Sequence, residues 1–191
     1  MVAPYEGVHA FLFIREVDPG DSIRKIVARL QDGGLVNKET GPVFFASDFV
    51  GAFKGFVHAG ADDLTALLDL LARALWDAGV HCEPALEGTV SGTTSGLPLP
   101  PLGPKRQSPP YCALVRIDLR RDPSVDPLEV LNRLRDVSLF QGASIVFGDF
   151  DILLELGADD YDSLTEAVRN WAKGFPEVER SRSALTHVSS D

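Results

Sequence analysis

Ile145-Val146-Phe147-Gly148-Asp149-Phe150-Asp151-Ile152-Leu153-Leu154-Glu155-Leu156 reads as strand, tight turn, strand. Two apolar runs flank Gly148-Asp149, residues that accept the backbone angles of a hairpin turn. Beyond the turn, Ile152, Leu154 and Leu156 alternate with Asp151, Leu153 and Glu155, a period of two. Asp151 stands one residue past the turn, where its carboxylate stays near the loop. A weaker version of the pattern occurs earlier, at Phe44-Phe45-Ala46-Ser47-Asp48-Phe49 followed by Ala52 to Ala59.

Outward from that hairpin the second half orders itself. Tyr111 to Leu119 is a strand with Ala113, Val115, Ile117 and Leu119 on one face and Cys112, Leu114, Arg116 and Asp118 on the other. Asp126-Pro127 couples a cap to proline at the first helical position, and Leu128, Leu131 and Leu134 form that helix's face. Gly157-Ala158-Asp159-Asp160 opens a helix carrying Leu164, Val168 and Trp171. Phe175-Pro176 ends it, and Glu177 to about Val188 closes as a strand. The order is βαββαβ.

The first half repeats this order. A strand from Val8 to Val17 precedes an Asp21-capped helix with Ile23, Ile26, Val27 and Leu30. Two strands follow, then a helix behind Asp62-Asp63 with Leu64, Leu67, Leu68, Leu71 and Leu75, and a strand from Val80 to Leu86. Gly60-Ala61-Asp62-Asp63 recurs at 157–160, and Asp48-Phe49 recurs as Asp149-Phe150, as a duplication would leave them. Residues 88–110, rich in Gly, Ser and Pro, read as a linker. Its Pro98, Pro100, Pro101 and Pro104 favour extended polyproline II, the form of a docking peptide or a plain spacer. The expected organisation is a first repeat over 1–87, a linker over 88–110 and a second repeat over 111–191.

Of 191 residues, 45% are hydrophobic and the net charge is −10. That charge argues against direct nucleic-acid binding and against anionic membranes, since no run of basic residues is longer than a pair such as Lys105-Arg106. No apolar run spans a membrane and no secretory leader is visible, so a cytoplasmic protein is expected. Two cysteines, Cys82 and Cys112, build no disulfide framework and read as small buried hydrophobes. There is no phosphate loop, nucleophile elbow or metal-ligand spacing, so no cofactor and no metal are expected. His9 and His58 fall on neighbouring strands; a strand histidine is the default and a metal or haem site the alternative. Trp76 and Trp171 lie among leucines, as core residues do.

The second half resembles the ligand-binding (RAM) domain of the Lrp/AsnC feast/famine regulators. The resemblance rests on Gly148-Asp149-Phe150-Asp151-Ile152-Leu153-Leu154 and on Val178-Glu179-Arg180-Ser181-Arg182-Ser183, and covers about residues 111–188. The first half keeps only Asp48-Phe49 of the motif, with Ser47 for its Gly and Val50 for its last Asp. The regulators' helix-turn-helix is missing. The resemblance implies an α+β protein of two ferredoxin-like repeats whose sheets pair as a dimeric α/β barrel, within one chain as a pseudo-dimer or between chains. It implies a non-enzymatic regulatory module that binds a small effector, an amino acid or similar metabolite, at Gly148, Asp149, Asp151 and Ser183. Gly148 and Asp149 also read as plain turn chemistry, and Asp151 as a partner of loop amides. Self-association through sheet faces follows. The alternatives are a ligand-free assembly partner of a DNA-binding regulator, and a dimeric α/β-barrel enzyme of oxygenase or haem-binding type.

Overall fold

The computed structural model describes residues 8–16, 43–48, 50–51, 55–61, 63–76, 81–87, 89–90, 93–94 and 109–187, with only some of the side chains before residue 95 and none for 186–187. The chain divides into two compact units, Met1–Leu86 and Glu87–Asp191. The expected helix over 21–33 and the proline-rich stretch over 98–104 lie outside the described residues.

In the first unit the strands are β1 (Val8–Glu16), β2 (Val43–Asp48), a two-residue β3 (Val50–Gly51), β4 (Gly55–Ala61) and β5 (His81–Glu87), with helix α1 (Leu64–Trp76) before β5. The antiparallel order is β2-β4-β1-β5. Asp63 caps α1 by accepting from the Ala66 amide at 2.8 Å. Leu67 is fully buried, whereas Leu64 and Leu68 stand exposed, Leu68 at 51%. The apolar stripe of α1 is therefore narrower than its leucine spacing suggests. Part of the expected linker is ordered: β6 (Thr89–Val90) and β7 (Thr93–Thr94) pair as a short ladder.

The second unit runs β8 (Tyr111–Leu119), α2 (Pro127–Leu134), β9 (Phe140–Phe147), β10 (Ile152–Ala158), α3 (Tyr161–Asn170), a 3-10 turn over Trp171–Gly174 and β11 (Val178–His187). Its antiparallel order is β9-β10-β8-β11, the ferredoxin-like arrangement and the same as in the first unit. Both helix starts follow from sequence. Asp126 accepts from the Leu128 amide with Pro127 behind it, and Asp160 accepts from the Ser163 amide. Ala113, Val115, Ile117 and Leu119 of β8 and Ile152, Leu154 and Leu156 of β10 pack against Val130, Leu131, Leu134, Leu164 and Trp171. Leu128, expected on that face, is exposed, and Val130 takes its place.

The deciding hairpin is wider than a two-residue turn. Ile145 pairs with Ile152, the Val146 amide donates to the Asp151 carbonyl, and Gly148–Asp151 form the loop. The cause is on the far limb: the Asp151 amide donates to the Ile117 carbonyl, which ties the loop to β8. Phe147 is thrown outward, 64% exposed, while Phe150 is buried. No helix among the described residues is long and apolar enough to cross a membrane.

Candidate functional site

The loop residues singled out by sequence come together only in part. Gly148 and Asp149 are exposed at the hairpin tip. Asp151 accepts from the Leu119 amide at 2.8 Å through Oδ2 and from Arg121 Nη1 at 3.1 Å through Oδ1. Its carboxylate splices the hairpin to the end of β8. Ser183 pairs with Val115 and so shares the helix-facing side, while alternation from Ile152 puts Asp151 on the opposite side.

That opposite side carries the polar chemistry of the second unit. Ser144, Leu153 and Arg116 stand in one row across β9, β10 and β8; Gly142, Glu155 and Leu114 stand in the next. Arg116, Ser144 and Glu155 are the buried polar residues among those described, and all three are on this face. The Arg116 guanidinium carbon lies 4.6 Å from the centre of the Phe150 ring, so the inward half of the hairpin tip supports it. At the rim Arg180 and Asp118 pair at 2.6 Å.

Glu155 is 1% exposed, and its Oε1 has no hydrogen-bond partner. Burial penalises the charged form, and the carboxyl is pushed up to about 8. One step along the same face, Cys112 is pushed up to about 12, by burial first and by Glu155 second. The thiol is therefore inert at neutral pH, and its Sγ faces the Pro109 carbonyl at 3.6 Å. Near neutrality Glu155 is a carboxylic acid able to give or take a proton.

The backbone beside Glu155 is irregular. Glu155 pairs with Gly142 but Leu156 pairs with Phe140, which leaves Gln141 as a bulge on β9. Leu139, just before it, has φ 65°, an uncommon conformation for a branched residue, and its carbonyl accepts from the Gly157 amide at 3.0 Å. At Gly157 an added Cβ would come within 2.4 Å of Pro109 Cγ. Only glycine lets Pro109 close that end of the face.

A concavity of about 430 Å³ lies in the helix layer beside Arg133, Asn170, Trp171 and Phe175. Arg133 is committed there to Glu177 and to the Gly174 carbonyl, and lies over the Phe175 ring. The Arg133 hydrogen bond holds the Glu177 carboxyl below the usual range. This is a clamp between α2 and the segment that joins the 3-10 turn to β11.

No protein-family model matches the sequence, and no curated protein matches it. Solved structures match it in fold. A chlorite dismutase mutant from Candidatus Nitrospira defluvii, in complex with cyanide, is 13% identical, with a TM-score of 0.58 over 99% of this chain and 93% of that one. A haem-binding protein from Thermus thermophilus is 11% identical, with a TM-score of 0.50 over 96% of this chain and 92% of that one. FFRP-DM1 is 16% identical with a TM-score of 0.35, and covers 40% of this chain and 97% of that one. At these identities the likeness is one of fold, a ferredoxin-like α+β architecture.

Two expectations are corrected by these matches. The effector-binding regulatory module gives way, because the likenesses that span the whole chain are to a chlorite dismutase and a haem-binding protein. The expectation of a non-enzymatic protein falls on the same finding. The Lrp/AsnC resemblance reduces to the shared ferredoxin-like fold.

The likeness raises haem, and the polar face of the second unit does not fit it. No histidine lies on β8, β9 or β10, and the Cys112 thiol is held protonated. The histidines of the chain, His9, His58, His81 and His187, lie on β1, β4, β5 and at the end of β11, where side chains are outside the described residues. Among the described residues no group of His, Cys, Asp and Glu is placed to hold a metal ion.

Sequence reading puts Arg116 and Glu155 in the phase opposite the helix-facing residues but assigns neither to a site, and it does not single out Ser144. The signal was available for two of them. Arg116 and Glu155 interrupt strands that are otherwise apolar, in the same phase as Leu114 and Leu153. A charge at such a position is either solvated or set apart for chemistry.

Proposed function

We propose that this protein is an enzyme of the dimeric α/β-barrel type that acts on a small molecule at the polar face of the second unit, with Glu155 as its proton-transfer group. The observation that carries the reading is the buried Glu155 carboxyl, unpartnered at Oε1 and set beside Arg116 and Ser144 on one sheet face. A buried acid with a raised pKa can protonate or deprotonate a substrate near neutral pH, which an exposed glutamate does poorly. The full-length likeness in fold to an enzyme supports this class.

The test is solvent exchange. Protein in deuterium oxide is incubated with small keto acids and other enolisable carbonyl compounds, and carbon-bound deuterium is read by NMR. Incorporation by wild type that is lost in Glu155→Gln is the expected result. Equal incorporation by the two proteins, or none with any compound, overturns the reading.

Haem binding is the second reading, favoured by the likeness to the Thermus thermophilus haem-binding protein over nearly the whole chain. Titration with haemin tests it: a saturable Soret change that is lost on replacing one of His9, His58, His81 or His187 supports it. A spectrum equal to haemin with an unrelated protein rejects it.

A further inference from the structure

We infer that Glu155 anchors a binding site for a small uncharged group that carries a hydrogen-bond donor beside an acceptor, a primary carboxamide. The inference rests on the polar face being the working surface, and names what that surface recognises.

A buried oxygen with no partner is rare in folded proteins, and each one calls for a water, an ion or a ligand. Glu155 Oε1 is such an oxygen. Its neighbours do not answer the need: Leu114 flanks it on β8, and Gly142 across on β9 has no side chain. Among the described residues no cation pairs with it, so an ionised carboxylate gains no partner there. A carboxylic acid presents one O–H donor and one carbonyl acceptor about a single carbon. The complement that stays uncharged near neutral pH is a primary amide, joined by two hydrogen bonds.

The surroundings are built for one place. The Gln141 bulge breaks the ladder next to the Glu155–Gly142 pair, and Leu139 ahead of β9 holds a positive φ; such features cluster where a side chain must be aimed. Pro109 over Gly157 closes one end. Leu153 and Leu114 make the flanks apolar, which strengthens hydrogen bonds to the carboxyl.

The test uses dicyclohexylcarbodiimide on the intact chain, with acetamide as the probe. The carbodiimide adds the O–H of a protonated carboxyl across one C=N bond, and the O-acylisourea rearranges to a stable N-acylurea, with nothing lost from either molecule. Peptide mass spectrometry locates the adduct. Expected are labelling at Glu155 near pH 6.5, a fall in labelling above pH 8, no adduct at this position in Glu155→Gln, and severalfold slower labelling with acetamide present. No labelling at Glu155 in natively folded protein overturns the site. Labelling that acetamide does not slow overturns the ligand class, with Oε1 served by water. Exchange activity dependent on Glu155, without protection by acetamide, overturns this inference alone; absence of both the exchange activity and the protection overturns the working face as well.

Discussion

Replacing Glu155 by Gln removes a proton-binding group and little else, so its effect on stability reads the buried carboxyl directly. In the unfolded chain the group ionises near its ordinary 4.5; in the fold it is pushed up to about 8 by burial. Between those values the native state holds a proton that the unfolded state has released. The associated stability is fully present below about pH 4.5 and is lost as pH rises through about 8. At about 1.36 kcal/mol per unit, that rise is worth on the order of 5 kcal/mol as an upper bound across the whole window. Urea unfolding of wild type and Glu155→Gln at pH 5, 6.5 and 8.5 is the assay. The difference between the proteins cancels histidine titration, and the lowered carboxyls of Asp122, Asp160 and Glu177 ionise below this window. Wild type is expected to match the variant at pH 5 and to fall behind it by several kcal/mol at pH 8.5. For a chain of this size that widens the Tm gap by roughly 10 °C. Identical pH profiles would refute the reasoning.

Gly157→Ala is expected to destabilise by about 1–3 kcal/mol, because its Cβ must displace Pro109, while Gly174→Ala, with nothing within 4 Å, stays within about 0.5 kcal/mol of wild type in the same denaturation assay. Asp151→Ala leaves the Leu119 amide without its acceptor and is expected to cost about 1–3 kcal/mol, whereas Arg121→Ala, at a side chain 79% exposed, costs less than about 1 kcal/mol. On α1, Leu67→Ala is expected to cost about 2–5 kcal/mol and Leu68→Ala under about 1 kcal/mol by thermal unfolding.

Local chemistry was legible wherever it is local in the chain. Asp126-Pro127, Asp160 and Asp63 mark helix starts because caps act over three residues. The phase of Ala113, Val115, Ile117 and Leu119 marks the helix-facing side because alternation is intrinsic to a strand. What sequence missed depends on contacts far apart in the chain. The width of the hairpin loop is set by Asp151 reaching β8, thirty-odd residues back. Leu64, Leu68 and Leu128 have helical spacing but stand exposed. The same applies to the site: the Gly148–Asp151 motif drew the eye as a turn, while Glu155 inside an apolar run looked like one more alternating position. Its isolation is visible only once Gly142 and Leu114 are set beside it.

The account turns on a carboxylic acid that keeps its proton at neutral pH. Its most direct test is the side-chain carboxyl carbon signal of Glu155, assigned by its loss in Glu155→Gln and followed by NMR from pH 4 to pH 10 in glutamate-labelled protein. Titration near 8 is the predicted result. Titration near the ordinary 4.5 would contradict it, and would return Glu155 to the role of a solvated strand residue.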